Sequence, residues 1–220
     1  MSPRPRKASD AEVFAAAARV MGRVGPADLT LAAIAAEAGL TAGALVQRFG
    51  SKLALLRAMS KGLAGHAGGL AAELRAAHDS PLAALIAYAR CVAGLAASPA
   101  ALARNLAYLT LDLTDRHLYP ALLDHARHTR AAYRGFLHDA LAAGELDAAT
   151  EVARLARTIE TSVSGALMTW AVYREGHAAD WIEHEVRAVL APYLPGWRAG
   201  TKPPVRRRRS SSRQPPAASR

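Results

Sequence analysis

The chain has 220 residues and a net charge of +10, with 51% hydrophobic residues but only 5% aromatic ones. That length suffices for one large core or two small ones, and abundant Ala and Leu beside few β-branched and aromatic residues favour an all-helical fold. No run of 18 apolar residues is free of a charge or a breaker, since even 82–102 holds Arg90 and Pro99, so no membrane partner is expected.

The basic N-terminus is followed by Asp10 and Glu12 and not by the apolar stretch of a signal peptide. A single cysteine, Cys91, excludes an internal disulfide framework and fits a reducing compartment, so a cytoplasmic location is expected. The charge is unevenly placed. Three positive residues lie in 1–7 (Arg4, Arg6, Lys7) and eight in 196–220, with no acid in either segment, which leaves a net charge of −1 for 8–195. Basicity confined to two tails suits segments that follow a polyanion.

In chain order, residues 1–8 are expected to be a flexible basic arm. Ser9 and Glu12 form a capping-box pattern, and Val13, Ala17, Val20, Met21 and Val24 follow at helical spacing until Gly25-Pro26. Thr30 can cap a short helix that turns Leu31, Ile34, Ala35 and Ala38 to one face. Gly39 supplies the turn, Leu40 its apolar plug, and Thr41 a second cap. In the second helix Leu45 and Phe49 point inward, leaving Ala42, Gly43, Val46, Gln47 and Arg48 outside. Two short helices across a glycine turn make a helix-turn-helix, whose second helix can enter the major groove of DNA. Lys52 opens the next helix, where free backbone amides and its ammonium could grip a phosphate together.

The register from Thr30 to Lys52, TLAAIAAEAGLTAGALVQRFGSK, closely resembles the DNA-binding domain of the tetracycline-repressor (TetR) family of bacterial transcription regulators. Gly39, Gly43, Leu45, Phe49, Ser51 and Lys52 stand where that pattern wants them. The family usually has an aromatic residue at the place of Val46 and often His at that of Gln47, so its contacts at those two positions do not carry over. The resemblance implies an N-terminal three-helix DNA-binding domain over 9–60. It also implies a ligand-binding and dimerisation domain over 61–195, in which the last two long helices pair with their twins in a homodimer. The expected DNA-contacting residues are Thr30, Thr41, Ala42, Gly43, Val46, Gln47, Arg48 and Lys52, with Arg4, Arg6 and Lys7 of the arm.

Beyond Lys52, a helix carrying Leu53, Leu56, Met59 and Leu63 runs to about His78, softened by Gly62, Gly65, Gly68 and Gly69. Ser80-Pro81 and Ser98-Pro99 mark two further helix starts. The first, 82–97, is apolar almost all round. The second, to Thr114, is expected to turn Leu102, Leu106, Leu109 and Leu113 inward. An amphipathic helix follows over 117–143 and ends at Gly144. Asp147 can cap the next, which carries Leu155, Ile159, Val163 and Trp170, with Ser162, Ser164, Gly165 and Ala166 crowding its middle. The last helix carries Ile182, Val186 and Leu190. Residues 196–220 have no apolar period and are expected to be disordered.

Catalytic patterns are absent: no glycine-rich phosphate loop, no G-x-S-x-G and no H-E-x-x-H occurs, so no enzyme and no cofactor is expected. Asp124 with His128, and His177 with Asp180 and His184, lack the further ligands a metal needs. A small-molecule effector is the better expectation. Polar residues embedded in apolar helices are its candidate ligands: Tyr88, Cys91, Asn105, Tyr108, Asp112, His125, Thr129, Tyr133, Thr161 and Trp170. The expected function is a repressor released from a palindromic double-stranded DNA operator by that effector. The alternatives are a helical enzyme or carrier with a coincidental helix-turn-helix, and an architectural DNA binder acting through its tails.

Overall fold

The computed structural model describes residues 8–196, and the side chains of that span except 61–68. Arg4, Arg6, Lys7 and the basic segment 197–220 lie outside the described residues. All regular structure among those described is helical.

Three helices build the head: α1 (Asp10–Met21), α2 (Leu31–Glu37) and α3 (Ala42–Phe49). The capping box closes α1, with the Ser9 N–H donating to the Glu12 carboxylate at 2.7 Å and the Glu12 N–H to the Ser9 hydroxyl at 3.2 Å. Thr30 and Thr41 cap α2 and α3, accepting from the Ala33 and Ala44 N–H groups at 3.1 and 3.2 Å. Between those helices Gly39 sits at φ +68°, where its own N–H reaches the Ala36 carbonyl and the Leu40 N–H reaches that of Ala35. This pair of bonds is the Schellman stop, and its left-handed residue favours glycine. Val13, Ala17, Ile34, Ala35 and Leu45 fill the core between the three helices.

Helix α4 (Lys52–Ala77), capped by Ser51, continues through residue 60 as one element, so the expected domain boundary marks no break in the chain. The body adds α5 (Pro81–Cys91), α6 (Pro99–Thr114), α7 (Tyr119–Ala142), α8 (Val152–Tyr173) and α9 (Ala178–Leu190). Its core runs through Leu85, Tyr88, Tyr133, Phe136, Leu155, Ile159, Trp170 and Ile182. Tyr108 of α6 and Leu118 belong instead to the head's cluster, so the two cores are joined by body residues.

Three expectations are corrected here. The helix foreseen over 82–97 is α-helical only to Cys91 and tightens to a 3-10 segment over Val92–Ala96. Pro99 forces Ser98 into extended backbone (ψ 161°), and the turns before such a stop commonly tighten. On α6, Leu102 is buried but Leu109 and Leu113 face outward, at 38% and 55% exposure. The buried face there passes through Tyr108, because the head's core receives it. Finally, Glu151 caps α8 by accepting from the Arg154 N–H at 3.1 Å. Asp147 closes the preceding turn, accepting from the Ala149 N–H.

Candidate nucleic-acid interface and effector cleft

Helix α3 divides sharply between its two sides. Leu45 is fully buried, whereas Thr41, Ala42, Gly43, Val46 and Gln47 are exposed, Val46 at 49%. The Gln47 amide has no protein partner among the described residues, so its donors and acceptor are available to a base edge. Gly43 brings the backbone of the first turn to the surface without a side chain. Thr30 is exposed at the start of α2, beside the free amides of that helix.

Two expected contacts are already engaged. Lys52 donates to the Pro26 carbonyl at 3.0 Å, tying the start of α4 to the α1–α2 connection. Arg48 lies across the head: it forms an ion pair with Asp10, donates to the Ala8 carbonyl at 2.6 Å, and sits 5.4 Å above the Phe49 ring. Opposite, Glu37 accepts from Arg19 at 2.6 Å and from Arg23 at 2.5 Å. These bonds, that to Arg19 foremost, hold the Glu37 carboxyl below its ordinary value. No sequence pattern singled out this cross-link, because its partners lie 14 and 18 residues apart.

In the body, α4, α5, α7 and α8 enclose a cleft of about 790 Å³. Five of the ten effector candidates line it: Tyr88, Cys91, His125, Thr129 and Tyr133. Burial raises the Tyr88 hydroxyl above its ordinary value despite its bond to Thr129, and raises that of Tyr133 as well. Both phenols are therefore neutral near pH 7, able to donate and accept. Their rings meet edge to face at 5.4 Å. Cys91 is exposed, contrary to the buried thiol its apolar neighbours suggested. Glu73 and Glu160 also line the cleft; they are scarcely legible in sequence, since surface helices are full of glutamates. Glu160 accepts from Arg130 at 2.6 Å.

The other candidates stand elsewhere. Asn105 donates to the Leu95 carbonyl at 2.6 Å, Tyr108 to that of Val24 at 3.1 Å, and Trp170 to that of Gly176 at 3.2 Å. Burial, then Asp28, pushes the Tyr108 hydroxyl up to about 12. Asp112 is half-buried on α6, where burial first and Asp115 second raise its carboxyl. Thr161 is exposed on α8 and bonds to the Arg157 carbonyl.

Residues 13–59 match the family described as bacterial regulatory proteins, tetR family. The matched span, which is the head of the chain, is a tetR-family domain. Among solved structures, a TetR transcription regulator from Haloarcula marismortui aligns with a TM-score of 0.69 at 16% identity, over 84% of this chain and 97% of that one. SmeT, the repressor of the Stenotrophomonas maltophilia multidrug efflux pump SmeDEF, gives 0.61 at 22% identity over 90% and 95%. Thermus thermophilus FadR, a TetR-family repressor crystallised with lauroyl-CoA, gives 0.57 at 22% over 89% and 99%. At these identities the likeness establishes the shared fold. No curated protein matches the sequence significantly.

The body presents one further surface. Along α8, Thr161, Ser164, Gly165, Met168 and Val172 are all exposed, Met168 at 49% and Val172 at 76%. A Cβ added at Gly165 would meet nothing within 4 Å. Among the described residues, no single helix is long and apolar enough to cross a membrane.

Proposed function

We propose that this TetR-family protein is a cytoplasmic homodimeric transcriptional repressor, released from a palindromic operator by a small hydrophobic effector. The observation that carries the reading is the outer face of α3: a capped, rigid helix whose exposed side bears Gly43, Val46 and an uncommitted Gln47. A helix with that surface fits the major groove, and two of them on a symmetric dimer read half-sites about 34 Å apart. The exposed small-residue and apolar stripe of α8, with the neighbouring side of α9, is the dimer face this reading requires.

The cleft supplies the switch. Its volume is that of a small-molecule site, and its wall is mainly apolar with a few polar groups. Among the described residues its lining has two carboxylates and no lysine or arginine, which favours a neutral or cationic ligand over a phosphate-bearing one. Leu95, on the cleft wall, is held by Asn105 of α6, and the same helix grips the head through Arg104 to the Gly22 carbonyl and Tyr108 to that of Val24. A ligand that displaces the 3-10 segment therefore acts on the head through α6. It lowers DNA affinity to the extent that it prefers the displaced form.

Selection of the full-length protein on a random DNA pool tests the reading. A regulator enriches a palindrome whose half-sites are about one helical turn apart. An architectural binder enriches nothing, and a carrier or enzyme with a coincidental helix-turn-helix shows no sequence-preferring binding. Mass spectrometry of ligand retained by the freshly purified protein identifies the effector.

A further inference from the structure

The outward side of α3 is short of hydrogen-bonding groups. Of the exposed side chains between Thr41 and Gly50, those of Ala42, Ala44 and Val46 are apolar, and Gly43 has none. Gln47 alone offers an uncommitted donor and acceptor there. Arg48 is drawn off by the clasp it makes with the Asp10 carboxylate and the Ala8 carbonyl, which turns its guanidinium toward α1. Val46 is the largest apolar group left on that face, at 49% exposure. Its backbone is fixed from both ends of the helix: the Thr41 hydroxyl accepts from the Ala44 N–H at 3.2 Å, and the Gly50 N–H donates to the Val46 carbonyl at 2.8 Å. Leu45 beside it is fully buried, and Phe49 packs on Phe14 of α1 with ring centroids 6.0 Å apart. A valine on a helix keeps essentially one χ1 rotamer, so the Val46 methyls hold a fixed place relative to the head.

We propose that Val46 is a specificity-determining residue that reads the methyl group of a thymine in each operator half-site. The proposal rests on the DNA-binding reading given above and adds the base that is selected. In the major groove thymine shows a methyl group and an acceptor where cytosine shows a donor. An apolar side chain senses that difference through the methyl, which leaves water when the two groups meet. A phosphate gives an isopropyl group nothing to bind, so Val46 gains from the groove only by meeting a base edge. Gly43, three residues earlier on the same face, carries no side chain to hold the groove away from it. Burying one methyl is worth about fourfold in affinity per half-site, and about fifteenfold over a symmetric operator.

The test uses the full-length protein and the operator obtained by selection. Each thymine of the half-site is replaced in turn, in both half-sites, by uracil, which lacks only the methyl. Binding is followed by fluorescence anisotropy for wild type and Val46→Ala. Wild type should lose about fifteenfold at one thymine position, whereas Val46→Ala should bind the thymine and uracil operators about equally there. Where the same T·A pair is exchanged for C·G, methylating the cytosine on the corresponding ring carbon should recover part of the loss in wild type and none in Val46→Ala. Val46→Gln, which removes the branched methyls but favours helix, should lose the methyl dependence too, and it carries the comparison if the alanine variant unfolds. An equal cost of uracil in wild type and in the Val46 variants would assign the methyl to Ala42 or Ala44 and overturn the proposal. So would a half-site in which no thymine is sensitive to the loss of its methyl, or Val46 variants whose preference across operator variants is unchanged. If wild type enriches no sequence, the regulator reading fails first, before any methyl is tested, and the proposal fails with it.

Discussion

At the scale of single residues, the head is a set of directional contacts whose removal has local and readable effects. Gln47 is exposed and uncommitted, and a glutamine can pair bidentately with adenine. Gln47→Ala should relax one operator position by about 1–3 kcal/mol while leaving the others unchanged. A uniform loss across an operator-variant panel would show a phosphate contact instead. The Glu37 cross-link predicts a pH dependence whose sign follows from its lowered carboxyl, held down first by Arg19 and then by Arg23. A depressed pKa contributes stability that is complete above the ordinary value of 4.5 and is lost as pH falls through the lowered one. Wild type should therefore melt above Glu37→Gln at about pH 7, and the two should converge as pH falls through the lowered value. A gap between the two melting temperatures that does not shrink as the solution is acidified would remove charge from the explanation.

At the scale of elements, α6 joins head and body. Leu118, just after it, is 1% exposed and belongs to the head's cluster although it precedes α7 of the body. Leu118→Ala should cost about 2–5 kcal/mol, read by urea unfolding, and should loosen both halves together. If hydrogen exchange rises only in the body, the joint lies elsewhere. This coupling was only partly legible beforehand. Helix starts were plain in the sequence wherever Ser or Thr precedes the first turn, as at Ser9, Thr30, Thr41, Ser51, Ser80 and Ser98. The inward face of α6 was not, because leucines at i, i+4 spacing suggested one stripe while the fold asks the helix to serve two cores in succession. The cleft was half legible: an embedded tyrosine or threonine stands out in an apolar helix, but Glu73 and Glu160 look like any solvated glutamate. The Arg48 clasp was invisible, since a contact 38 residues apart leaves no periodic trace.

At the scale of the whole molecule, the proposed reading needs two copies to read a palindrome, and it assigns their contact to the exposed stripe of α8. Gly165 is exposed in the middle of that stripe with open space around it, so Gly165→Arg is compatible with the single chain but not with a close helix pair. Sedimentation at micromolar concentration should find the variant monomeric; a dimer would place the interface on another face. The eight positive charges after residue 195 should add affinity without specificity, each phosphate they neutralise contributing about −0.9 to the salt slope. Removing residues 199–220 should make that slope shallower while the ratio of operator to random binding holds. An unchanged slope would leave the segment a solubilising role only.

The absence of fully buried polar or charged residues among those described bears on how such a chain changes over evolutionary time. The body's interior is held by shape and volume, apart from the hydroxyls and indole N–H at the tips of its aromatic residues. Cores of that kind tolerate many exchanges of one aliphatic residue for another. Hydroxyl caps and left-handed glycines, which both head and body contain, have fewer substitutes. The family pattern is confined to residues 13–59, whereas the backbone likeness extends over four-fifths of the chain or more at 16–22% identity. On the proposed reading, a body free to exchange its lining without losing its fold can take a different effector under the same DNA-reading head.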